Sequence, residues 1–111
     1  MIYHMCRAEE WTSAVRAKVY YGSSQDLADG FIHFSTADQI VESARRHRSG
    51  QPGLVLVAVD PARLGERLHW EPSRGGQLFP HLYGTLDPGE SESVWPLRLG
   101  PDGVHVFPEI V

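Results

Sequence analysis

The sequence predicts an α+β fold, in which helices come early and strands dominate the second half of the chain. Apolar residues recur at helical spacing through 7–18 and again through 37–48. A continuous apolar run at 54–59 follows, and the stretches 94–99 and 104–107 alternate between apolar and polar residues. This segregation of helices and strands along the chain indicates an α+β architecture with a strongly bent sheet.

Length and composition indicate one domain, spanning residues 1–111. The chain has one cysteine, 10% aromatic residues and a formal net charge of −4. A single cysteine excludes an internal disulfide framework and fits a reducing compartment. The net negative charge disfavours nonspecific binding to nucleic acid. Since neither a membrane-length apolar run nor a basic-then-apolar leader is found, we expect a soluble cytoplasmic protein without a membrane partner.

The first half of the chain is predicted to contain two helices. A strand at 2–5 leads into the first helix at 7–18, and a short β-prone segment and one helical turn come next, at 19–21 and 25–29. The second helix is predicted at 37–48. Thr36-x-x-Gln39 has the form of a capping box, in which the Gln side chain returns to the backbone of the cap residue.

The second half of the chain is predicted to supply most of the sheet. Because the run at 54–59 is apolar without alternation, it is predicted to be a central strand buried on both faces. Further strands are predicted at 68–71, 79–84, 94–99 and 104–107, the last two as a hairpin. In the strand at 79–84, Phe79, His81 and Tyr83 would share one face.

Residues 29–36 (Asp-Gly-Phe-Ile-His-Phe-Ser-Thr) form the most informative stretch of the chain. The Asp-Gly turn is followed by a predicted buried strand at 31–35, which places Phe31, His33 and Ser35 on one face. This strand runs directly into the start of the second helix. A histidine and a hydroxyl next to a helix N-terminus predict an anion-binding corner, and the alternative is a strand-to-helix junction with a core histidine.

Three of the six histidines, His4, His33 and His81, stand in apolar or aromatic surroundings. A buried imidazole needs a partner for each ring nitrogen, so three of them predict a shared polar site, although each one alone is typical of a structural residue. The polar residues available to that site are Ser35, Thr36, Glu71 and Tyr83. The remaining histidines, His47, His69 and His105, are predicted to be at the surface or at a strand edge, without a role.

Several classes of site lack their sequence signature. The spacing of the three histidines matches no short zinc motif, and Cys6 beside His4 offers only a pair, so no metal site is predicted. There is no G-x-S-x-G elbow, no P-loop and no G-x-G-x-x-G. A nucleophilic serine of that kind and a Rossmann-type nucleotide site are therefore not expected.

Four parts of the sequence together resemble the DUF952 family of small, mostly bacterial proteins of uncharacterised function. They are Ile2-Tyr3-His4, Trp11, the stretch 29–36 with Gln39, and Phe79-Pro80-His81-Leu82-Tyr83-Gly84. The resemblance extends from Ile2 to about Pro108. It implies similarity in fold to the ADP-ribosyltransferases, a superfamily that includes the RNA 2′-phosphotransferases. We therefore expect two small bent antiparallel sheets, a cleft between them and two to three helices.

The same resemblance implies a ligand and a set of roles. ADP-ribosyltransferases bind NAD in the cleft and carry a polar triad. By motif position this triad corresponds to His4, to His33 with Ser35, and to His81, which stands where many transferring members have glutamate. His4 would bind ribose hydroxyls, Ser35 and Thr36 would face pyrophosphate or ribose, and Tyr83 would stack on nicotinamide.

Glu71 completes the predicted site as its carboxylate. Breaking the nicotinamide–ribose bond develops a cation, and Glu71 beside Trp70 is the acid predicted to stabilise it. The expected function is that of an ADP-ribosyltransferase-like or phosphotransferase-like domain that binds NAD or a related ADP-ribose ligand, with an unknown acceptor. The alternative is a non-enzymatic module that binds a small ligand or a protein through the same cleft.

Overall fold

The computed structural model describes residues 1–110, which form three α-helices and two antiparallel sheets in one small domain. The helices are α1 (Ala8–Ala17), α2 (Ser24–Asp29) and α3 (Ala37–His47). The strands are β1 (Ile2–Arg7), β2 (Ile32–His33), β3 (Ser35–Thr36), β4 (Leu54–Val59), β5 (Leu68–Pro72), β6 (Leu78–Leu82), β7 (Ser91–Leu99) and β8 (His105–Val106). None of the helices within residues 1–110 has the length and apolar character needed to cross a membrane.

The larger sheet has five strands in the order β3-β1-β4-β7-β8. As its continuous apolar sequence predicts, β4 is central and pairs antiparallel with β1 and with β7. Both faces of this sheet are covered. Val57 and Val59 belong to a core that contains Trp11 of α1, whereas Leu56 belongs to a second core that contains Ile40 of α3.

The smaller sheet has three strands in the order β2-β6-β5. Its buried face includes Ile32 and Leu82, which are paired across β2 and β6. The opposite face carries a row of three imidazoles, because His81 is paired with His33 on one side and with His69 on the other. Side chains of directly paired residues lie on the same face, so the sheet presents a polar, aromatic surface opposite its apolar one.

The predicted strand at 31–35 is broken at Phe34. The two residues before the break pair with β6 in the smaller sheet, whereas Ser35 pairs with Tyr3 of β1 in the larger sheet. Phe34 itself is buried in the core between them, and its N–H donates to the carbonyl of Pro80. Burial of this ring fixes the chain where it crosses from one sheet to the other. Ser35 therefore does not continue the row of Phe31 and His33.

The start of α3 is confirmed. Thr36 precedes the helix in an extended conformation, and its N–H donates to Oε1 of Gln39 at 3.0 Å. Nε2 of Gln39 also donates to the carbonyl of Leu78 at 2.8 Å. The residue that closes the capping box therefore also connects α3 to the first residue of β6 in the smaller sheet.

Two local predictions need different corrections. The β-prone segment at 19–21 forms only an isolated bridge, between Tyr20 and Leu86. The hairpin at the end of the chain is present, with β8 paired to the last residues of β7. His105 lies on the edge strand β8, which agrees with its predicted place at the surface or at a strand edge. Its side chain is nevertheless buried, and its Nε2–H donates to the carbonyl of Gln51 at 2.8 Å. The backbone carbonyl satisfies a ring that the sequence alone does not show to be enclosed.

Candidate functional site

A cavity of about 530 Å³ lies between the two sheets and is closed on its sides by α2, α3 and the segment 73–74. His4, His33 and His81 all line it, so the prediction that these three histidines meet at one cavity is confirmed. Ser35 also lines it. The other predicted site residues, Thr36, Glu71 and Tyr83, are not among the described residues that line the cavity.

Asp26 is the centre of the hydrogen-bond network on one side of the cavity. The carboxylate is only 3% exposed and accepts hydrogen bonds from the Ser23 N–H at 2.7 Å, the His33 N–H at 3.1 Å and His33 Nδ1 at 2.5 Å. Burial alone would raise the pKa of Asp26. The hydrogen bond from His33, the neighbouring His4 and the backbone N–H groups outweigh burial and lower this pKa to about 2.

His33 lies between two carboxylates. Its Nδ1–H faces Oδ1 of Asp26, and its Nε2 lies 2.9 Å from Oδ2 of Asp29 at the end of α2. Partial burial acts to lower the pKa of His33, but the hydrogen bond and charge of Asp26, followed by those of Asp29, raise it overall. The ring is 38% exposed. Because both ring nitrogens face carboxylate oxygens, which can only accept hydrogen bonds, the arrangement favours the protonated ring, and this ring also lines the cavity.

His4 has the opposite character because both ring nitrogens are used inside the protein. Nδ1 lies 2.6 Å from the carbonyl oxygen of His33, which can only accept, so Nδ1 carries the proton. Nε2 then accepts from the Tyr20 hydroxyl at 2.6 Å. Burial lowers the pKa of His4, and this agrees with a neutral ring. A ligand that hydrogen-bonds to His4 has to replace one of these partners.

His81 is oriented by Glu71 from the strand beside it. The His81 Nδ1–H donates to Glu71 Oε1 at 2.8 Å, and the Tyr83 hydroxyl donates to the same oxygen at 2.7 Å. These hydrogen bonds, from Tyr83 first and His81 second, lower the pKa of Glu71. Phe31 stacks on the His81 ring with centroids 4.0 Å apart. The imidazole is thus held in one orientation by a carboxylate and an aromatic ring.

The second nitrogen of His81 is free for a ligand. Nε2 has no hydrogen-bond partner among residues 1–110. Every fully buried side-chain nitrogen or oxygen in that range does have a partner, so Nε2 must keep some exposed surface. This surface is part of the 6% of His81 that remains exposed. Because His81 lines the cavity, this atom is available there as a hydrogen-bond donor or acceptor.

Hydroxyl and guanidinium groups line another part of the cavity. The hydroxyls of Ser35 and Ser43 lie 2.9 Å apart, and Arg74 donates to the Ser43 hydroxyl at 3.4 Å. The Arg74 guanidinium lies over the ring of Phe79, 5.0 Å from its centroid. Arg48, at the end of α3, also lines the cavity and donates to the carbonyl of Met5. This region can accept an anion with both charge and directed hydrogen bonds.

Sequence reasoning missed several residues of this site, among them Asp26, Asp29, Ser43, Arg48 and Arg74, and it gave no role to His47, which also lines the cavity. The pattern Ser23-x-x-Asp26 was an available signal, because the Ser23 hydroxyl and the Asp26 carboxylate form a capping box at the start of α2. Arg74 follows a strand and carries no such pattern. Among residues 1–110, no group of three or more His, Cys, Asp or Glu side chains is arranged to hold a metal ion.

The chain matches proteins that share this fold and much of its sequence. The model of the family described as "Protein of unknown function (DUF952)" matches residues 5–94. The crystal structure of CC0527 from Caulobacter crescentus is 46% identical, with a TM-score of 0.91 over 95% of this chain and 92% of that chain. The solution structure of CC0527 is 47% identical, with a TM-score of 0.84 over 93% and 89% of the two chains. No curated protein matches the sequence. The family match covers most of the chain and confirms the resemblance seen in the motifs: this protein belongs to the DUF952 family.

Proposed function

We propose that this protein binds a small phosphate-bearing ligand of nucleotide type in the cavity between its sheets. NAD and ADP-ribose, the ligands expected from the resemblance, are the first candidates. The observation that carries this proposal is the cluster of Arg48, Arg74 and the Ser35–Ser43 hydroxyl pair on one cavity. Guanidinium and hydroxyl groups are donors that phosphate oxygens accept well.

The charges around the cavity support an anionic ligand. Asp26 and Asp29, which line the cavity, both contact the His33 imidazole, so this histidine offsets part of their charge. Arg48 donates to neutral oxygens, and Arg74 donates to a hydroxyl. Neither arginine is in an ion pair within residues 1–110. Unpaired guanidinium groups in a concave site attract anions even though the whole chain has a net charge of −4.

The cavity also has the size and the apolar surface that a nucleotide needs. Its volume of about 530 Å³ lies within the usual range for small-molecule sites, about 300–1,000 Å³. Phe34 and Phe79 line it together with Ile40. A planar base or a nicotinamide ring can pack on such a wall while its phosphates face the arginines.

A transferase activity of the ADP-ribosyltransferase or phosphotransferase type is the enzymatic form of this proposal. The meeting of His4, His33 and His81 at one cavity supports it. In such a transferase Glu71 would act through His81, because its Oε1 accepts hydrogen bonds from that ring and from the Tyr83 hydroxyl. The alternative is a non-enzymatic binding module. The engagement of both ring nitrogens of His4 within the protein favours this alternative.

Thermal unfolding with NAD, NADP, ADP-ribose and AMP tests the binding. A ligand at a hundredfold excess over its Kd stabilises the native state by about 2.7 kcal/mol. Each kcal/mol raises the Tm of a domain of this size by about 4–8 °C. Arg74→Gln is expected to abolish the shift. Arg45→Gln is the matched control, because Arg45 is exposed, pairs with Glu42 and does not line the cavity.

Two outcomes would contradict the proposal. One is an unchanged Tm with every ligand at millimolar concentration. The other is an equal shift in wild type and Arg74→Gln. Release of nicotinamide from bound NAD then separates the transferase from the binding module, since only the transferase produces it.

A further inference from the structure

We propose that the cavity hydrolyses nucleotide phosphodiesters, with His81 as the general base and His33 as the general acid. This inference rests on the phosphate-binding function proposed above and adds a reaction to it. It depends on two carboxylate–histidine pairs that come from different elements and meet on one face of the smaller sheet. These pairs are Glu71 with His81 and Asp26 with His33.

His81 has the arrangement expected of a base. Its Nδ1–H is held by Glu71, so the ring orientation is fixed and the opposite nitrogen, Nε2, is left for a proton from the reactant. A histidine oriented by a carboxylate on one nitrogen and facing the reactant with the other is a recurring arrangement in hydrolases. Phe31 stacks on the ring and restricts it further.

His33 has the arrangement expected of an acid. The buried carboxylate of Asp26 holds its Nδ1–H, and this contact stabilises the protonated ring. Its Nε2 faces Asp29, whose carboxylate is partly exposed and also lines the cavity. A leaving oxygen can replace Asp29 as the partner of Nε2 while Asp26 keeps Nδ1 in place.

The two rings are fixed relative to each other by the backbone. His33 and His81 are directly paired residues of β2 and β6, and their ring centroids are 5.7 Å apart. Adjacent strands hold catalytic groups more rigidly than loops do. Two ionisable groups of one type in contrasting surroundings are a recurring sign of an acid and a base that act together.

The charge of the site favours reaction at phosphorus over the glycosidic cleavage that an ADP-ribosyltransferase carries out, so the hydrolase is an alternative to that transferase and shares with it only the binding of the phosphate ligand. Glycosidic cleavage develops positive charge on the sugar, which the His33 imidazolium and the guanidinium groups of Arg48 and Arg74 would oppose. Attack at a phosphodiester instead places the reacting negative charge on phosphoryl oxygens. The same three cations stabilise that charge.

The reaction needs only water as the second reactant. Nε2 of His81 takes a proton from water while the water oxygen forms a bond to phosphorus. The ester P–O bond breaks, and the Nε2–H of His33 gives its proton to the departing alkoxide. The products are a phosphate monoester and an alcohol. Exchange with solvent removes the proton from His81 and restores the one on His33.

The test uses two substrates that differ in their leaving group. The leaving group of a 2′,3′-cyclic nucleotide is a ribose alkoxide, which needs a proton. The leaving group of bis(p-nitrophenyl) phosphate is a p-nitrophenolate, which is stable without one. Loss of a general base or acid lowers rates by about 100-fold to 10,000-fold. His81→Gln should therefore lose activity on both substrates. His33→Gln should lose activity on the cyclic nucleotide and keep most of it on the nitrophenyl ester.

Two further variants sharpen the test. Glu71→Gln should lower kcat with little change in KM, because Glu71 orients His81 and does not contact the substrate. His69→Gln, on the other side of His81 in the same row, should leave both rates unchanged, since His69 does not line the cavity. If His33→Gln fails to fold, the leaving-group dependence of the wild-type kcat replaces it, and a shallow dependence supports the general acid.

The outcomes separate this inference from the function on which it rests. Thermal shift by the cyclic nucleotide without turnover of either substrate overturns the hydrolase and leaves the binding function standing. Turnover that persists in His81→Gln also overturns it. If no phosphate ligand shifts the Tm and no substrate is turned over, both the binding function and the hydrolase are wrong.

Discussion

The two sheets of this protein are built from the same kind of strand but are used differently. In the larger sheet, five of the six residues of β4 are buried, because α1 and α3 cover opposite faces. In the smaller sheet, the edge strand β5 has no fully buried residue. The face that carries His33 and His81 is turned toward the cavity. The larger sheet is thus covered by apolar packing on both faces, whereas the smaller sheet packs one face into the core and turns the other toward the cavity. Side chains on that second face can be changed with limited effect on the core.

The largest expected effect comes from shortening a side chain in the larger sheet. Leu56 of β4 is 0% exposed, and Leu56→Ala is expected to lower the free energy of unfolding by about 2–5 kcal/mol. Leu78 of β6 is 52% exposed, and Leu78→Ala should change it by less than about 0.5 kcal/mol. Urea denaturation measures both. Equal losses would show that burial of the side chain does not set the cost of shortening it.

Removing the buried carboxylate of the site is expected to have the next largest effect. The folded pKa of Asp26 is about 2, against an ordinary value of 3.8 for an aspartate, and this difference corresponds to about 2 kcal/mol of stability at neutral pH. Asp26→Asn should lose that amount. Asp29→Asn is the control, because Asp29 contacts the same histidine from a partly exposed position. A loss as large for Asp29→Asn would contradict the central place given to Asp26.

The same network predicts how stability depends on pH. Because the pKa of Asp26 is lowered on folding, its contribution is present above about pH 4 and is lost as pH falls toward about 2. The pKa of His33 is raised, so its contribution is present below its ordinary value of 6.5 and is lost as pH rises through the folded value. Urea unfolding across this pH range should show both slopes in wild type. Asp26→Asn should remove the acid slope and reduce the alkaline one.

Alanine substitutions at two glycines distinguish the cost of backbone strain from the cost of crowding at the site. Gly22 and Gly84 have nearly the same positive φ, +104° and +106°, so alanine strains the backbone similarly at both. A Cβ on Gly22 would also lie 2.6 Å from Cβ of Asp26, whereas one on Gly84 meets no atom within 4 Å. Gly22→Ala should therefore cost at least about 1 kcal/mol more than Gly84→Ala in thermal unfolding. Equal costs would show that Asp26 can move aside freely.

The smallest effect on stability is expected at Gln39, whose side chain connects β3 of the larger sheet to β6 of the smaller sheet. Gln39 accepts from the Thr36 N–H and donates to the Leu78 carbonyl, and Gln39→Ala removes both hydrogen bonds from a half-buried position. The expected loss is about 0.5–1 kcal/mol. Gln39→Glu keeps the acceptor for Thr36 but removes the donor to Leu78. If Gln39→Glu lowers the free energy of unfolding as much as Gln39→Ala does, the hydrogen bond to Leu78 is the one that stabilises the protein.

Much of the larger sheet could be predicted from the sequence, because its signals are local. The unbroken apolar run at 54–59, the Thr36–Gln39 capping box and the terminal hairpin each depend on residues close together in the chain. The break at Phe34 could not be predicted in this way. The pattern from Phe31 to Ser35 continues like a strand, and the change of sheet is caused by packing against distant residues such as Pro80.

Site residues could be predicted from the sequence where the residue type itself indicated the chemistry. They could not be predicted where only burial in the folded protein gives the residue its role. Three histidines in apolar surroundings were enough to predict one cavity. Asp26 stands in a polar segment that is typical of an exposed helix start, but contacts with Ser23, with His33 and with the distant His4 bury it. Glu71 was predicted to be a site residue. Its hydrogen bond to His81 could not be predicted, because it depends on the register of β5 and β6.

The position of β1 in the larger sheet has a consequence for the rate of folding. This strand lies between β3 and β4, and its partners in β4 are about fifty residues away in the chain. Closing a loop of that length costs conformational entropy before any backbone hydrogen bond of the pair can form. Domains dominated by such distant contacts fold in milliseconds to seconds, far more slowly than helical bundles. Substitutions in the β1–β4 pair should therefore slow refolding measured by stopped-flow fluorescence, whereas substitutions in the β7–β8 hairpin should mainly accelerate unfolding.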